Sequence, residues 1–302
     1  MRYILPALVI AVAQWSCQSS PKPDQLANSL RPVKVGKLWG YADDSGVTRI
    51  KPRFLYAHEF SDGFAMVQPD ATWGVRFIDA RGTFIGGERF FEWAGPFGDG
   101  LAPAREAERI YGFIDTSGKW VIAPRYAGVH CFTEGLAAVQ ATGNGAWGYI
   151  DRRGRMTIPG RYWRAGEFHA GLAPVEQFGK SGFIDRTGAW VIPPRFEDAG
   201  LFSAEGLAPV QVKQRAGLVW GFADRTGNLV LPVQYEGAKA FSQGFAPAKL
   251  AGKWGFVDSK GQWAVSPQFD ELERLEHGWA RAMQGDRIGY VNAKGERLHW
   301  KQ

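Results

Sequence analysis

Trp147-Gly148-Tyr149-Ile150-Asp151-Arg152-Arg153-Gly154 sets the grammar of this chain: aromatic, glycine, aromatic, aliphatic, acid, and a glycine three residues later. The phrase returns as Trp39-Gly40-Tyr41-Ala42-Asp43, Tyr111-Gly112-Phe113-Ile114-Asp115, Trp220-Gly221-Phe222-Ala223-Asp224 and Trp254-Gly255-Phe256-Val257-Asp258. Looser copies are Trp73-Gly74 leading to Phe77-Ile78-Asp79, then Ser181-Gly182-Phe183-Ile184-Asp185 and Ile288-Gly289-Tyr290-Val291-Asn292. The closing acid or amide recurs at gaps of 36, 36, 36, 34, 39, 34 and 34 residues. A fixed period of roughly 20–50 residues marks a repeat array, whose units bury their faces against one another.

Two further phrases keep the same phase. One, as in Gly171-Leu172-Ala173-Pro174-Val175, precedes the Trp-Gly phrase; the other, as in Trp190-Val191-Ile192-Pro193-Pro194, follows it. Ser29-Leu30-Arg31-Pro32-Val33 is a degenerate first copy, so eight units fill residues 29–302. Each unit reads as three short strands: apolar runs rich in Val, Ile, Phe, Tyr and Trp are punctuated by Gly and Pro, with no helical period. Asp-x-x-Gly reads as a tight hairpin, the Asp bonding the turn backbone and the Gly taking the left-handed position. The Pro of the third strand, lacking an N–H, is expected to end it. Within the central strand, Trp and Phe point to one face and Ile to the other. Both faces need cover, and the neighbouring unit supplies it. The expected fold is all-β: eight tandem three-stranded antiparallel repeats stacked around an axis, as a propeller-like or an open superhelical array.

Trp-Gly, Phe-Ile-Asp-x-x-Gly and Val-Ile-x-Pro in register resemble the bacterial WG (KWG) β-repeats over residues 30–302. The resemblance implies a repeat fold and carries over no reaction and no catalytic residue. Tyr111, Ser181 and Ile288 depart from the pattern where it has Trp. The second unit is irregular, with Val75-Arg76 before Phe77 and Ile85-Gly86-Gly87 in place of Val-Ile-x-Pro.

The first residues follow a different logic. Arg2 precedes an apolar run, Tyr3 to Ala13, which is signal-sized and too short to span a bilayer. Residues 1–16 read as a lipoprotein-type signal peptide, Cys17 as the lipidated residue and 17–28 as a polar tether; Ala11-Val12-Ala13 is a rival cleavage site. The expected location is the periplasm or outer membrane as a lipoprotein, or outside the cell. The membrane is touched only through the lipid on Cys17. Cys131, the one other cysteine, is expected to be a buried thiol. The net charge of +6 is spread among interleaved acids and bases, and no nucleic-acid module is present, so nucleic acid is not an expected partner.

Chemistry-bearing patterns are sparse. Each turn Asp stands alone in its loop, whereas calcium needs converging acids; a turn role is expected. None of the five histidines has zinc-ligand spacing, and no metal or cofactor is expected. His58 and His130 share one repeat position, two residues before the Phe of Phe-x-x-Gly. Loop carboxylates (Glu92, Asp99, Glu134, Glu167, Glu197, Asp198, Asp270, Glu271, Glu273) form no evident catalytic pair. Trp93 and Trp163 fall outside the repeat phase and, with His58 and His130, are the candidate binding residues. The expected protein is a monomeric, non-catalytic binding or scaffold protein of the bacterial cell envelope. It would present segments 56–60, 91–97, 127–132, 163–168, 197–203, 236–241 and 270–276 to a protein or cell-wall glycan. The alternative is an envelope hydrolase with a loop-borne carboxylate site.

Overall fold

The computed structural model describes residues 25–69, 74–106, 109–143, 145–215 and 217–299. The signal-peptide and lipidation expectations, Cys17 included, and Trp73 lie outside the described residues. Apart from the short helix Gln25–Ser29, the regular structure is all strand.

Residues 164–196 show the unit. Strands Arg164–Ala165, Leu172–Gln177, Lys180–Asp185 and Trp190–Phe196 pair antiparallel in chain order. Equivalent four-stranded sheets cover 56–85, 198–235, 237–269 and 271–298, and a three-stranded one covers 31–54. Residues 93–162 form one seven-stranded sheet, because Trp120–Val129 runs unbroken from the edge of one unit into the next. Counted as two units, it brings the total to eight blades. The expectation of three strands per unit is corrected here. The fourth strand is the short one that the sequence presents as a variable loop.

That fourth strand is the innermost. Arg274 of blade 8 acts electrostatically on Glu167 and His169 of blade 5, which only groups near a common axis can do. At the other edge of each sheet, Val121, Val191 and Val230 are exposed. The variable segments therefore run from the rim, where Trp163 is exposed, to the axis, where Glu167 lies.

The hairpin reading holds at each described acid. Asp151 Oδ1, for example, accepts from the N–H groups of Arg153 and Arg155, both at 2.9 Å, while Gly154 N–H donates to Asp151 O at 2.8 Å. Proline behaves differently from expectation. Pro52, Pro124, Pro193 and Pro267 sit inside the outermost strand, where a missing N–H faces no further ladder. The strand bulges there, shifting register between the first and third residues of the Trp-Gly phrase. The bulge brings backbone onto the Gly of that phrase: a Cβ on Gly148 would lie 2.5 Å from Ile158 O and 2.7 Å from Gly160 N. Gly40, Gly112, Gly182 and Gly255 are equally crowded. The glycine is fixed by close approach, not by φ.

Blades are joined face to face through aromatic rings. In six blades the second aromatic of the Trp-Gly phrase is buried and meets the Phe of the next blade's Phe-x-x-Gly at a steep angle; in blade 7 the equivalent Phe256 packs in one cluster with Leu275, which replaces that Phe. The pairs are Tyr41–Phe60 (4.9 Å), Phe77–Phe97 (4.8 Å), Phe113–Phe132 (4.8 Å), Tyr149–Phe168 (4.9 Å), Phe183–Phe202 (4.6 Å) and Phe222–Phe241 (5.0 Å). Each contributes about 0.5–1.5 kcal/mol beyond its burial. In blade 8 the equivalent Tyr290 meets blade 1 and blade 2: its hydroxyl lies 3.2 Å from Pro32 O and 2.8 Å from Glu59 Oε1. His299 Nε2 lies 3.3 Å from Asp43 O. The array is a closed eight-bladed β-propeller.

Gly148→Ala should lower the midpoint of denaturant unfolding, at a cost of about 1–3 kcal/mol for overpacking. Gly143→Ala, with nothing within 4 Å of its Cβ, should leave the midpoint unchanged. Equal effects from the two would contradict the close-approach account.

Candidate functional site

The axis concentrates the ionisable groups. The residue before the Phe of Phe-x-x-Gly is Glu59 in blade 2, Cys131 in blade 4 and Glu167 in blade 5; in blade 8, where Leu275 stands in place of that Phe, it is Arg274. Glu167 is 7% exposed, and burial pushes its carboxyl up to about 7, opposed by the Arg274 guanidinium and the Cys131 N–H. Glu59 is raised to about 7 by the same cause, although Arg31 opposes the rise; it keeps some accessible surface, as a side chain facing a narrow axial opening would. Cys131 is fully buried and disulfide-bonded, which corrects the expectation of a free thiol. The chain's other cysteine, Cys17, is outside the described residues.

The four candidate binding residues are not brought together. His58 lies on the innermost strand of blade 2 and His130 directly after Val129, the last residue of that of blade 4, with blade 3 between them. Burial lowers both to about 4, with Arg281 and Arg164 respectively adding to the effect. His130 Nδ1 is 4.0 Å from Glu167 Oε1, its ring stands edge-on to Trp147 at 5.1 Å, and it borders a cavity shared with Arg164 and Asp198. Trp93 is half-buried and stands edge-on to Tyr111 at 5.1 Å, so it is a packing residue of blade 3. Trp163 is 61% exposed, at the rim where one blade passes into the next, and its N–H donates to Glu176 O at 2.9 Å. Of the four, Trp163 and His130 approach one place: Trp163 directly precedes Arg164 in the chain.

Most of the loop carboxylates have structural duties. Asp99 accepts from Gly135 N–H at 2.7 Å and Glu134 from Gly171 N–H at 3.0 Å, each clasping its blade to the next. Asp62 and Glu205 do the same for Gly100 and Gly244. Glu197, Asp270 and Glu273 pair with Lys180, Lys253 and Lys239. Sequence reasoning missed a second set of clasps: Arg125 and Arg161 donate to Gly154 O and Gly188 O of the following blade, both at 2.7 Å. The signal was the Arg of Pro-Arg-Tyr/Phe, held in phase with the turn glycine. Among the described residues, no group of three or more His, Cys, Asp or Glu could hold a metal ion. A second cavity, of about 240 Å³, opens at the opposite end of the innermost strands, between His169, Glu205 and Gln243.

The family model for the WG containing repeat matches residues 39–73, 111–144, 147–180, 182–215, 220–254 and 254–287, more than half the chain. The chain belongs to the WG-containing repeat family. Besides residues 1–38, the main unmatched stretches are the irregular second unit beyond Trp73 and the chain from Ile288 on, where Ile replaces Trp. No curated protein matches the sequence. Among solved structures, dihydro-heme d1 dehydrogenase NirN in complex with DHE aligns with a TM-score of 0.61 and 12% identity, over 96% of this chain and 76% of that one. BamB from Moraxella catarrhalis aligns at 0.47 and 13%, over 94% and 99% of the two chains. Virginiamycin B lyase from Staphylococcus aureus aligns at 0.47 and 13%, over 79% and 91%. At this identity the NirN likeness shows the fold alone.

The buried titrating groups set a pH dependence with a definite sign. Glu167, raised from its ordinary value to about 7, contributes stability that is complete at acid pH and lost as pH rises through 7. His130, lowered to about 4, contributes stability present above its ordinary value and lost as pH falls through 4. The two trends oppose each other in mildly acid solution. Glu167→Gln removes only the first, so its unfolding free energy relative to wild type should rise between pH 5 and pH 8, by on the order of 1–3 kcal/mol, and its melting temperature with it. A melting difference that is the same at both pH values would refute the buried-carboxyl assignment.

Proposed function

We propose that the chain is a non-catalytic binding or scaffold protein of the bacterial cell envelope, holding a protein or cell-wall partner at the propeller rim. The observation that carries this reading is Trp163, a large aromatic left 61% exposed on a rigid strand junction beside the equally open Arg164. Aromatic and arginine side chains so placed are the residue types that dominate interface energetics. Export is supported by the apolar, signal-sized run before Cys17 and by the disulfide at Cys131, which an oxidising compartment permits.

A hydrolase reading has one observation in its favour, the axial Glu167 carboxyl poised near 7 with His130 4.0 Å away. Against it, Glu167 is sealed to 7% exposure, and a glycosidase needs a second carboxylate flanking an open substrate bond.

The test is co-sedimentation of residues 18–302 with cell-wall sacculi at low and high salt. Trp163→Ala should reduce salt-resistant pelleting without lowering the melting temperature. Trp93→Ala should lower the melting temperature, as loss of packing. No pelleting at either salt would reject the wall and leave a protein partner as the version to pursue by crosslinking.

A further inference from the structure

The repeat tryptophan reaches across its own blade to the innermost strand, and the row of residues it crosses varies from blade to blade. In blade 4 the row is Gly128, Gln140, Trp147; the indole edge would lie 2.9 Å from a Cβ on Gly128. Blade 7 repeats this with Gly237, Lys249 and Trp254, again at 2.9 Å. Blade 6 has Asp198, Gln211 and Trp220, so a small side chain beneath the indole is tolerated. Blade 3 exchanges the ends: Trp93 comes from the innermost strand and Tyr111 from the third, their rings 5.1 Å apart. Blade 5 has Arg164, Glu176 and Ser181. Neither end of that row supplies an aromatic ring.

A cavity of about 210 Å³ lies there. Its walls include Trp147, Pro174 and Val175, with Ser181 where the indole would begin. An engineered apolar cavity of about 150 Å³ admits benzene, so this volume suffices for a ring of indole class. Arg164 Nη1 lies 3.8 Å from Glu176 Oε2 and 3.9 Å from Asp198 Oδ1, and all three border the cavity. Two carboxylates against one guanidinium that is 69% exposed leave an excess negative charge there. A cation gains from that excess and an anion does not.

We propose that this cavity is a binding site for an aromatic ring carrying a positively charged amine, seated in the space that the repeat tryptophan fills in other blades. The ring comes either from a free aryl amine or from an aromatic residue flanked by lysines in a partner chain. The site does not depend on the envelope location proposed above, and fails or stands separately from pelleting on sacculi.

Calorimetric titration of the chain with tryptamine, indole-3-propionate and a capped Lys-Trp-Lys peptide tests it. Tryptamine should bind, and indole-3-propionate at least tenfold more weakly. Ser181→Trp should abolish tryptamine binding while melting at or above the wild-type temperature. Ser181→Phe is the smaller filler should the first variant not fold. Glu176→Gln with Asp198→Asn leaves the space open and should remove the preference for tryptamine over the acid. A peptide that binds more tightly than tryptamine assigns the ring to a partner protein, and the reverse assigns it to a small molecule. Absence of tryptamine binding at millimolar concentration, or undiminished binding by a folded Ser181→Trp or Ser181→Phe variant, would overturn the proposal.

Discussion

A blade of this protein is apolar on both faces, and the contact that resolves this is the edge-to-face meeting of its buried central-strand aromatic with the inner-strand Phe of the next blade. Phe113 against Phe132 and Phe183 against Phe202 are the clearest cases, with all four rings fully buried. A single sheet cannot make this contact by itself, so no unit is stable alone. Each pair also fixes the angle between neighbours. Tyr41 and Tyr149 reinforce it with hydroxyls that donate to His58 O at 2.7 Å and Gly166 O at 2.8 Å in the following blade. Repeated around the array, the same contact leaves one face unpaired at each end. Tyr290 with Pro32 and Glu59 joins those ends.

Closure divides the surface by function. Outer strands carry Trp120, Trp190 and Trp263, of which Trp190 and Trp263 stand edge-on to Tyr162 and Tyr235 of the blade before. Turn glycines and acids are taken up by clasps between blades. What remains free to vary is the innermost segment of each blade, where Glu59, Cys131, Glu167, Leu201, Ala240 and Arg274 occupy one repeat position. Such variety is tolerated because the adjoining Phe, or Leu275 in blade 8, holds the blades together, and these residues do not. The rim end of the same segment shows the same freedom, and there the loss of one aromatic leaves a cavity rather than a collapsed sheet.

The sequence made the period, the eight units, the hairpin Asp and the all-β class legible, since each depends on a local residue type at a fixed place. The innermost strands were not legible. Arg164–Ala165 and Asp198–Ala199 are two residues long with no β-branched or aromatic member, and their pairing is supplied by the strand beside them. Proline within the outermost strand was misread because the rule against it applies where a further ladder follows. Glu167 and Glu197 look alike in sequence; one faces the axis and the other a lysine at the rim. Trp93 stood out of phase because blade 3 carries its larger ring on the opposite end of the row. Phase relative to the inner Phe is the signal that would have separated these cases.

The central claim is that the aromatic pairs carry the array round to meet itself. Pulsed electron–electron distance measurement tests it most directly, using spin labels at equivalent turn positions, Ser45 in blade 1, Lys260 in blade 7 and Lys294 in blade 8, each two residues past the turn acid or amide. The closed propeller predicts that the 45–294 distance equals the 260–294 distance of adjacent blades, with an equally narrow distribution. A 45–294 distance that is much longer than the 260–294 distance would mean an open superhelix and contradict the account.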